Sequence, residues 1–350
     1  MSAPGARGAP SASPGPRAAD SSGAPAPDVA AGLRAYAHWR GWEAAVFAAF
    51  ALSWWLLPSQ ALLLKEIAVA ALFAVSLDLI LGYAGIVSLG HAAFFGFGAY
   101  GAALFAKHVM PDPLVGLAVA TALAAALGLA TSVLILRGSD LTRLMVTLGV
   151  ASILYELANK LDGLTGGADG LQGVVIGPLL GRFEFDLAGR VAYAYALVVL
   201  ALCLLGARRL VHSPFGVSLQ ALRDNRLRAT AIGLSVNARL VAVYAVGAAM
   251  AGAAGALLAQ TTGFASLDLF DFHRSAEVLL MLVIGGTGYL YGGVFGALAF
   301  KLLHDLVSAW TPQYWTFWLG LFLVVLVLVG RDRVLRPDRW RRRAAVGARP

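Results

Sequence analysis

Charge is scarce in this sequence. Of its 350 residues 13% are Asp, Glu, Lys or Arg, 59% are hydrophobic, and the mean hydropathy is +0.75. Soluble domains run near 45–50% apolar and about 25% charged, so composition excludes an ordinary water-soluble domain. Cysteine is nearly absent. Cys203 stands alone inside an apolar run, forms no intramolecular disulfide and reads as a small buried hydrophobe. None of the four lysines follows a glycine, so there is no P-loop Gly-Lys-Ser/Thr and no nucleotide site of that type. Neither a His-Glu-x-x-His run nor a Cys/His cluster offers a zinc site, and no nucleophile–base pair stands out. The chain reads as no enzyme, with no metal and no cofactor of its own.

Long uncharged runs are what the sequence does have. Leu114–Leu136, Val278–Phe300, Ala44–Leu64, Leu240–Ala259 and Leu306–Gly330 carry no charge at all. A helix needs roughly 20 apolar residues to cross the roughly 30 Å hydrocarbon core. Strands of a membrane barrel would alternate polar and apolar residues, and these runs do not. The expectation is an all-α integral membrane protein, a polytopic helical bundle of about ten transmembrane segments. They fall at roughly 42–57, 62–81, 88–107, 114–136, 143–159, 191–208, 239–260, 275–290, 292–310 and 314–330.

The formal net charge of +8 is unevenly placed. Arginines group at Arg137/Arg143, Arg208/Arg209, Arg223/Arg226/Arg228/Arg239 and from Arg331 to Arg349, with Arg7, Arg17, Arg34 and Arg40 ahead of the first apolar run. This is a positive-inside bias rather than a nucleic-acid footprint. It predicts both termini in the cytoplasm, with the loops 137–143 and 209–238 inside and the loop 160–190 outside. Residues 1–32 are rich in Ala, Pro, Gly and Ser and lack the apolar core of a signal peptide. The domain reading is a disordered cytoplasmic leader (1–40), a transmembrane domain (41–330) and a basic cytoplasmic tail (331–350) lying next to anionic lipid.

Two stretches interrupt the apolar pattern. One reads Gly82-Tyr-Ala-Gly85-Ile-Val-Ser88-Leu-Gly90-His91 and continues through Gly96, Gly98 and Gly101; the other reads Gly285-Gly286-Thr-Gly288 followed by Gly292-Gly293. Glycine at this density either lets helices pack closely or breaks a helix so that backbone lines a cavity. Corresponding interruptions in the two halves hint at an internal repeat with a site between them. A third stretch, 212–238, is soluble but patterned. Pro214 and Gly216 end the preceding segment, and Ser218 to Ile232 are predicted to form one short amphipathic helix, which fits either a lipid surface or a groove on a partner protein.

Charges at membrane depth are costly and usually functional. Asp78 is expected to reach the interface, and Glu156 and Glu277 to face an aqueous vestibule or pair with Lys160 and Arg274. His91 borders the Gly-rich stretch. For each, a structural role and a transport role both stand. Asp305 and Lys301, one turn apart, are expected to pair with each other.

The run from Gly82 through His91 to Tyr100 closely resembles the hallmark segment of LivM-type permeases of branched-chain amino acid ABC importers. Three more stretches follow in that family's order: Leu164-Thr-Gly-Gly-Ala-Asp-Gly170; Ser213-Pro-Phe-Gly216 leading to Leu222-Arg-Asp-Asn225 and Ala231-Ile-Gly-Leu-Ser-Val236; and Glu277 to Gly286 leading to Gly292-Gly293. The likeness covers about residues 60–330. It implies a permease subunit in a bacterial inner membrane that passes branched-chain or other hydrophobic amino acids into the cytoplasm. The implied partners are a second, LivH-type permease, two ABC ATPases carrying ATP and Mg, and an extracytoplasmic binding protein. The loop 212–238 would be the cytoplasmic coupling helix that meets the ATPase, with Arg223, Asp224, Asn225 and Gly233 at its motif positions. The candidate translocation pathway is Gly82, Gly85, Ser88, Gly90, His91, Glu277, Gly285 and Gly286. Ser139-Asp-Leu-Thr-Arg143 and the leader depart from the family pattern. Urea and short-amide permeases share the framework, and an ion-coupled secondary transporter is the reading from another class.

Overall fold

The computed structural model describes residues 41–136, 138, 140–186, 188–310 and 313–329. The expected leader (1–40) and basic tail (331–350) lie outside the described residues. Among those described, helices account for nearly all regular structure: α1 (Gly41–Leu56), α2 (Ala61–Asp78), α3 (Ala92–His108), α4 (Pro113–Ile135), α5 (Asp140–Lys160), α6 (Arg190–Val211), α7 (Pro214–Asp224), α8 (Arg226–Ala231), α9 (Val236–Thr262), α10 (Phe272–Gly285), α11 (Gly292–Trp310) and α12 (Trp315–Val329). Five of them, α4, α5, α6, α9 and α11, are long and apolar enough to cross a membrane. The chain is a polytopic helical membrane protein.

Helix α4 shows why this sequence folds for lipid. Between the buried end residues Pro113 and Ile135, its buried positions are Gly116, Ala120, Ala124, Gly128 and Ser132, a stripe of small residues spaced by one turn. Leu114, Val115, Leu123, Leu129, Val133 and Leu134 are exposed on the remaining surface. A soluble helix would bury the large apolar residues. In lipid, burying leucine gains nothing over leaving it in acyl chains, so association rests on close van der Waals packing of small residues.

The centre of the bundle is α9, packed against α2, α3 and α4. Ala248, Ala251, Ala254 and Leu257 are fully buried along it. A Cβ added to Gly252 would lie 2.2 Å from Ala124 Cβ, and one on Gly255 would lie 1.9 Å from the Phe95 carbonyl oxygen. Gly98 faces Gly252 in the same way, at 2.2 Å from its carbonyl oxygen. The expectation of close packing thus holds for the glycines inside α3 and α9.

Polar side chains fix the helix ends. Glu43 on α1 accepts from Arg208 on α6 at 2.9 Å, and both are buried. A buried pair of this kind is costly to break from one side. At the opposite end Gln260 Nε2 donates to the Pro113 carbonyl at 2.8 Å, and the Tyr195 hydroxyl lies 3.0 Å from Gln260 Oε1. That network ties α9, α4 and α6.

The loop 160–190 folds over this second end. Thr165 Oγ1 donates to the Ala158 carbonyl, and Leu171 pairs with Ala265 as an isolated bridge. At the first end, Arg226 reaches within 4.0 Å of Asp140, which also pairs with Arg143 at 2.7 Å. The start of α5 and the loop bearing Arg226 therefore lie side by side at this end.

Two expectations about the loop 212–238 are corrected. Pro214 does not end a helix: it opens α7, where its missing N–H costs nothing and Ser213 serves as N-cap. The single helix over 218–232 is in fact two, α7 and α8, broken at Asn225. Asn225 takes an extended backbone and accepts from Arg228 N at 3.0 Å as the N-cap of α8.

We expect Gly255→Leu to abolish monodisperse extraction of the chain in mild detergent, while Gly149→Leu, with nothing within 4 Å of its added Cβ, leaves it unchanged. Equal elution profiles for the two variants would show that the α3–α9 contact does not set the fold.

Candidate functional site

The first Gly-rich stretch is a broken helix. After Asp78 the helix widens into a π turn over Leu79–Tyr83, and regular structure stops until α3 begins at Ala92. π turns frequently mark functional sites. The second break runs from Gly286 to Tyr291, between α10 and α11. The apolar run predicts α10 as far as 290, but Gly286 (φ +98°) and Gly288 (φ +78°) take backbone conformations that end it at Gly285.

The two breaks touch. Asp78 Oδ1 accepts from Gly288 N at 2.8 Å, and Tyr83 OH accepts from Leu290 N at 3.1 Å. Beside the second break, the amide of Ala92 donates to Ser275 Oγ on α10 at 2.9 Å. Side chains flanking the first break thus satisfy backbone donors of the second, and a side chain on α10 does the same for the start of α3. Asp78 was expected at the interface, yet it is fully buried. The reason is its partner: a carboxylate held by an orphan backbone N–H caps the second break.

Arg223, at the C-terminal end of α7, joins the same junction. Its Nη1 donates to the Gly82 carbonyl, and a Cβ on Gly288 would lie 3.0 Å from that nitrogen. The arginine stem runs over Gly85, where a Cβ would come within 2.7 Å of Arg223 Cγ. At Gly82 a Cβ would strike Asp78 Oδ1 at 2.1 Å and Gly288 N at 2.4 Å. Three glycines therefore clear the space in which Asp78 and Arg223 reach backbone.

The other candidate pathway residues are distributed as follows. Gly90 abuts α5, since its Cβ would lie 1.9 Å from the Thr147 carbonyl oxygen. His91 is fully buried, stacks on Phe73 with centroids 5.4 Å apart, and its Nε2 lies 2.8 Å from Ser76 Oγ. His91 Nδ1 is buried without a protein partner among the described residues, and the Ser88 side chain faces the buried Tyr244 hydroxyl. Gly285 serves packing: its Cβ would meet the Gly292 carbonyl oxygen at 1.8 Å, holding the α10–α11 hairpin closed. Gly286 sits at the start of the second break, but Gly288, two residues on, makes the contact to the first.

Glu277 lies two turns before Gly285 and pairs with Arg274 at 3.1 Å, as one of the two expected alternatives has it. Glu156 pairs with Lys160 at 3.5 Å on an exposed surface. Lys301 departs from expectation: it reaches across to Glu66 on α2 at 3.4 Å instead of one turn along its own helix to Asp305. On the loop, Asp224, Asn225 and Gly233 are exposed, and Gly233 has φ +83° with nothing within 4 Å of an added Cβ. Leu227 and Ile232 stand 84% and 75% exposed beside them, while Leu219 and Leu222 bury the other face of α7.

Reasoning from sequence missed the roles of Ser76, Tyr83 and Ser275, and named Gly288 as part of its Gly-rich stretch without placing it in the pathway. Their signal was weak: each is a small or hydroxyl-bearing residue within reach of a helix break, where orphan backbone groups need partners.

The junction makes a stability prediction. Asp78→Ala should destabilise the purified chain by about 1 kcal/mol or more, because it leaves the half-buried Gly288 N–H unpaired. Asp78→Asn keeps an acceptor and should cost less. Melting in detergent separates the two, and equal midpoints would show that the Gly288 contact carries no stability.

Residues 61–330 match the family described as the branched-chain amino acid transport system permease component. The high-affinity branched-chain amino acid transport system permease protein LivM of Escherichia coli K12 is 30% identical over 289 residues, 76% of this chain and 67% of the relative. LivM of Salmonella typhimurium is equally similar, at 30% over 292 residues with the same shares. LivH of Escherichia coli K12, the permease protein of the same system, matches at 26% over 118 residues, 34% of this chain and 38% of its own length. No solved structure matches the chain.

Proposed function

The chain belongs to the family of permease components of branched-chain amino acid transport systems, and from that premise we propose that it conducts branched-chain or other hydrophobic amino acids inward under power from separate ATPases. As a permease component it is not itself catalytic. In this reading ten of its helices span the bacterial plasma membrane, both termini lie in the cytoplasm, and its complex holds a LivH-type permease, two ABC ATPases with their ATP and Mg, and an extracytoplasmic binding protein.

One observation carries the coupling half of the proposal: Arg223, on the loop 212–238, reaches the carbonyl of Gly82 at the junction of the two breaks. A loop that merely lay on lipid would have no need to enter the bundle. Asp224, Asn225 and Gly233, with the exposed Leu227 and Ile232, form the outward side, where an ATPase docks. Leu219 and Leu222 anchor α7 to the bundle, so a push on the outward side moves Arg223.

The junction is where such a push acts. Breaks that exchange side-chain hydrogen bonds have two sets of partners to choose from, and a shift in α7 draws Gly82 away from Gly288. Gly82, Gly85, Ser88, Gly90 and His91 then serve as the moving wall of the pathway, and Gly285 and Gly286 as the hairpin it moves against. Conformational work of this kind needs a bistable element biased by an external contact.

Arg223→Ala should leave the chain in the membrane and its complex able to hydrolyse ATP, with labelled leucine uptake reduced by at least about tenfold, the size of losing one charge-assisted hydrogen bond from the coupled state. Gly233→Asp, on the docking side, should also abolish uptake while leaving membrane abundance intact. Normal uptake by either variant would sink the coupling assignment. Uptake that follows urea rather than leucine would keep the architecture and change the substrate. Uptake that survives ATP depletion and fails with an uncoupler would replace the ATPase with an ion gradient.

A further inference from the structure

A second charged assembly lies apart from the junction. A cleft of about 160 Å³ opens between α2, α10 and α11, with Glu66, Arg274, Glu277 and Lys301 on its lining. The rest of its wall is apolar and includes Val69, Phe73, Phe95, Val278 and Met281. One water needs about 10–15 Å³ on the same scale, so the cleft admits a solute of roughly ten non-hydrogen atoms.

We infer that this cleft binds the zwitterionic head and aliphatic side chain of a free α-amino acid, with Arg274 taking the carboxylate and Glu277 the ammonium. The inference rests on the amino-acid reading given above and names the site for it. The four charges sum to zero, which suits a solute carrying one charge of each sign and repels net anions and net cations alike. None is saturated by its present partner. Glu277 Oε2 meets Arg274 at 3.1 Å and Oε1 lies 3.6 Å from His273, while Arg274 Nη1 is the only guanidinium nitrogen in that pair. Arginine has five N–H donors and a carboxylate about four acceptor sites, so both keep capacity for a ligand. Partly exposed ion pairs are worth little in themselves, and exchanging them for contacts to a zwitterion is inexpensive.

The apolar wall supplies the second criterion. Phe73 and Phe95 pack on each other with centroids 4.5 Å apart, and Phe73 stacks in turn on His91. Ser275, adjacent in sequence to Arg274, holds the first amide of α3. Phe73 therefore lines the cleft with one side and backs His91, at the end of the first break, with the other.

The test uses the whole transporter in nanodiscs of phosphatidylglycerol, whose head group lacks an ammonium and does not compete as a zwitterionic lipid would. Binding of labelled leucine is measured without the extracytoplasmic binding protein, with leucinamide, which lacks the carboxylate, and 4-methylpentanoate, which lacks the ammonium, as competitors. The wild type should prefer leucine to both by at least about tenfold, one charge-assisted contact each. Arg274→Ala should erase the preference over leucinamide and keep that over 4-methylpentanoate; Glu277→Gln should do the reverse. A structural effect would weaken all three ligands alike and overturns the assignment. Saturable binding absent from a wild type that still takes up leucine overturns it too. A wild type that neither binds nor transports leucine overturns the functional reading itself. Val278→Trp, which fills the cleft while keeping all four charges, should abolish leucine binding in protein that still elutes as one species, and retained affinity counts against the site.

Discussion

Backbone that leaves the helix at membrane depth must find its hydrogen bonds within the protein, since lipid offers none and each orphan group costs several kcal/mol. Two segments of this chain do so. The breaks at 82–91 and 286–291 are placed so that Asp78 and Tyr83 serve the amides of Gly288 and Leu290, and Ser275 that of Ala92. Everything else in the bundle is arranged around keeping those two irregular segments in register. Arg223 completes the junction from the loop, donating to the Gly82 carbonyl.

The surrounding packing is what makes such a junction possible. Small residues on α4 and α9 bring the helices to backbone contact, leaving the large apolar side chains to lipid. A bundle built this way is rigid at its centre and owes little to burial of leucine. Stiffness there matters, because a break can act as a hinge only if its surroundings do not deform with it. The Glu43–Arg208 pair and the Gln260 network brace opposite ends of the same frame.

Beyond the Glu43–Arg208 brace, charge is used sparingly and in three further ways. Arg143 and the loop's Arg226 both reach Asp140 at one end of the bundle. Asp78 is buried as a structural acceptor. The quartet of Glu66, Arg274, Glu277 and Lys301 sits on a cleft with an aromatic wall. His91 connects the second use to the third, being stacked on Phe73 and bonded to Ser76 while its neighbour Ala92 is held by Ser275.

The sequence by itself determined the solvent in which this chain folds, the approximate run of its helices and the family to which it belongs. Those properties are local: hydropathy over some twenty residues, the spacing of arginines, and ordered motifs such as Gly82 to His91. It also marked the two glycine-dense stretches in which the breaks fall, because glycine density is read without knowing any neighbour. Which side of close packing or chain interruption each glycine serves was beyond it. Gly255 and Gly82 look alike in a string, but one meets the Phe95 carbonyl and the other meets Asp78 and Gly288. Partners more than two hundred residues apart, as Asp78 with Gly288 and Lys301 with Glu66, were decided by tertiary structure alone. A side chain at membrane depth has several polar neighbours along its own helix, and only the packing of distant helices determines which group reaches it first.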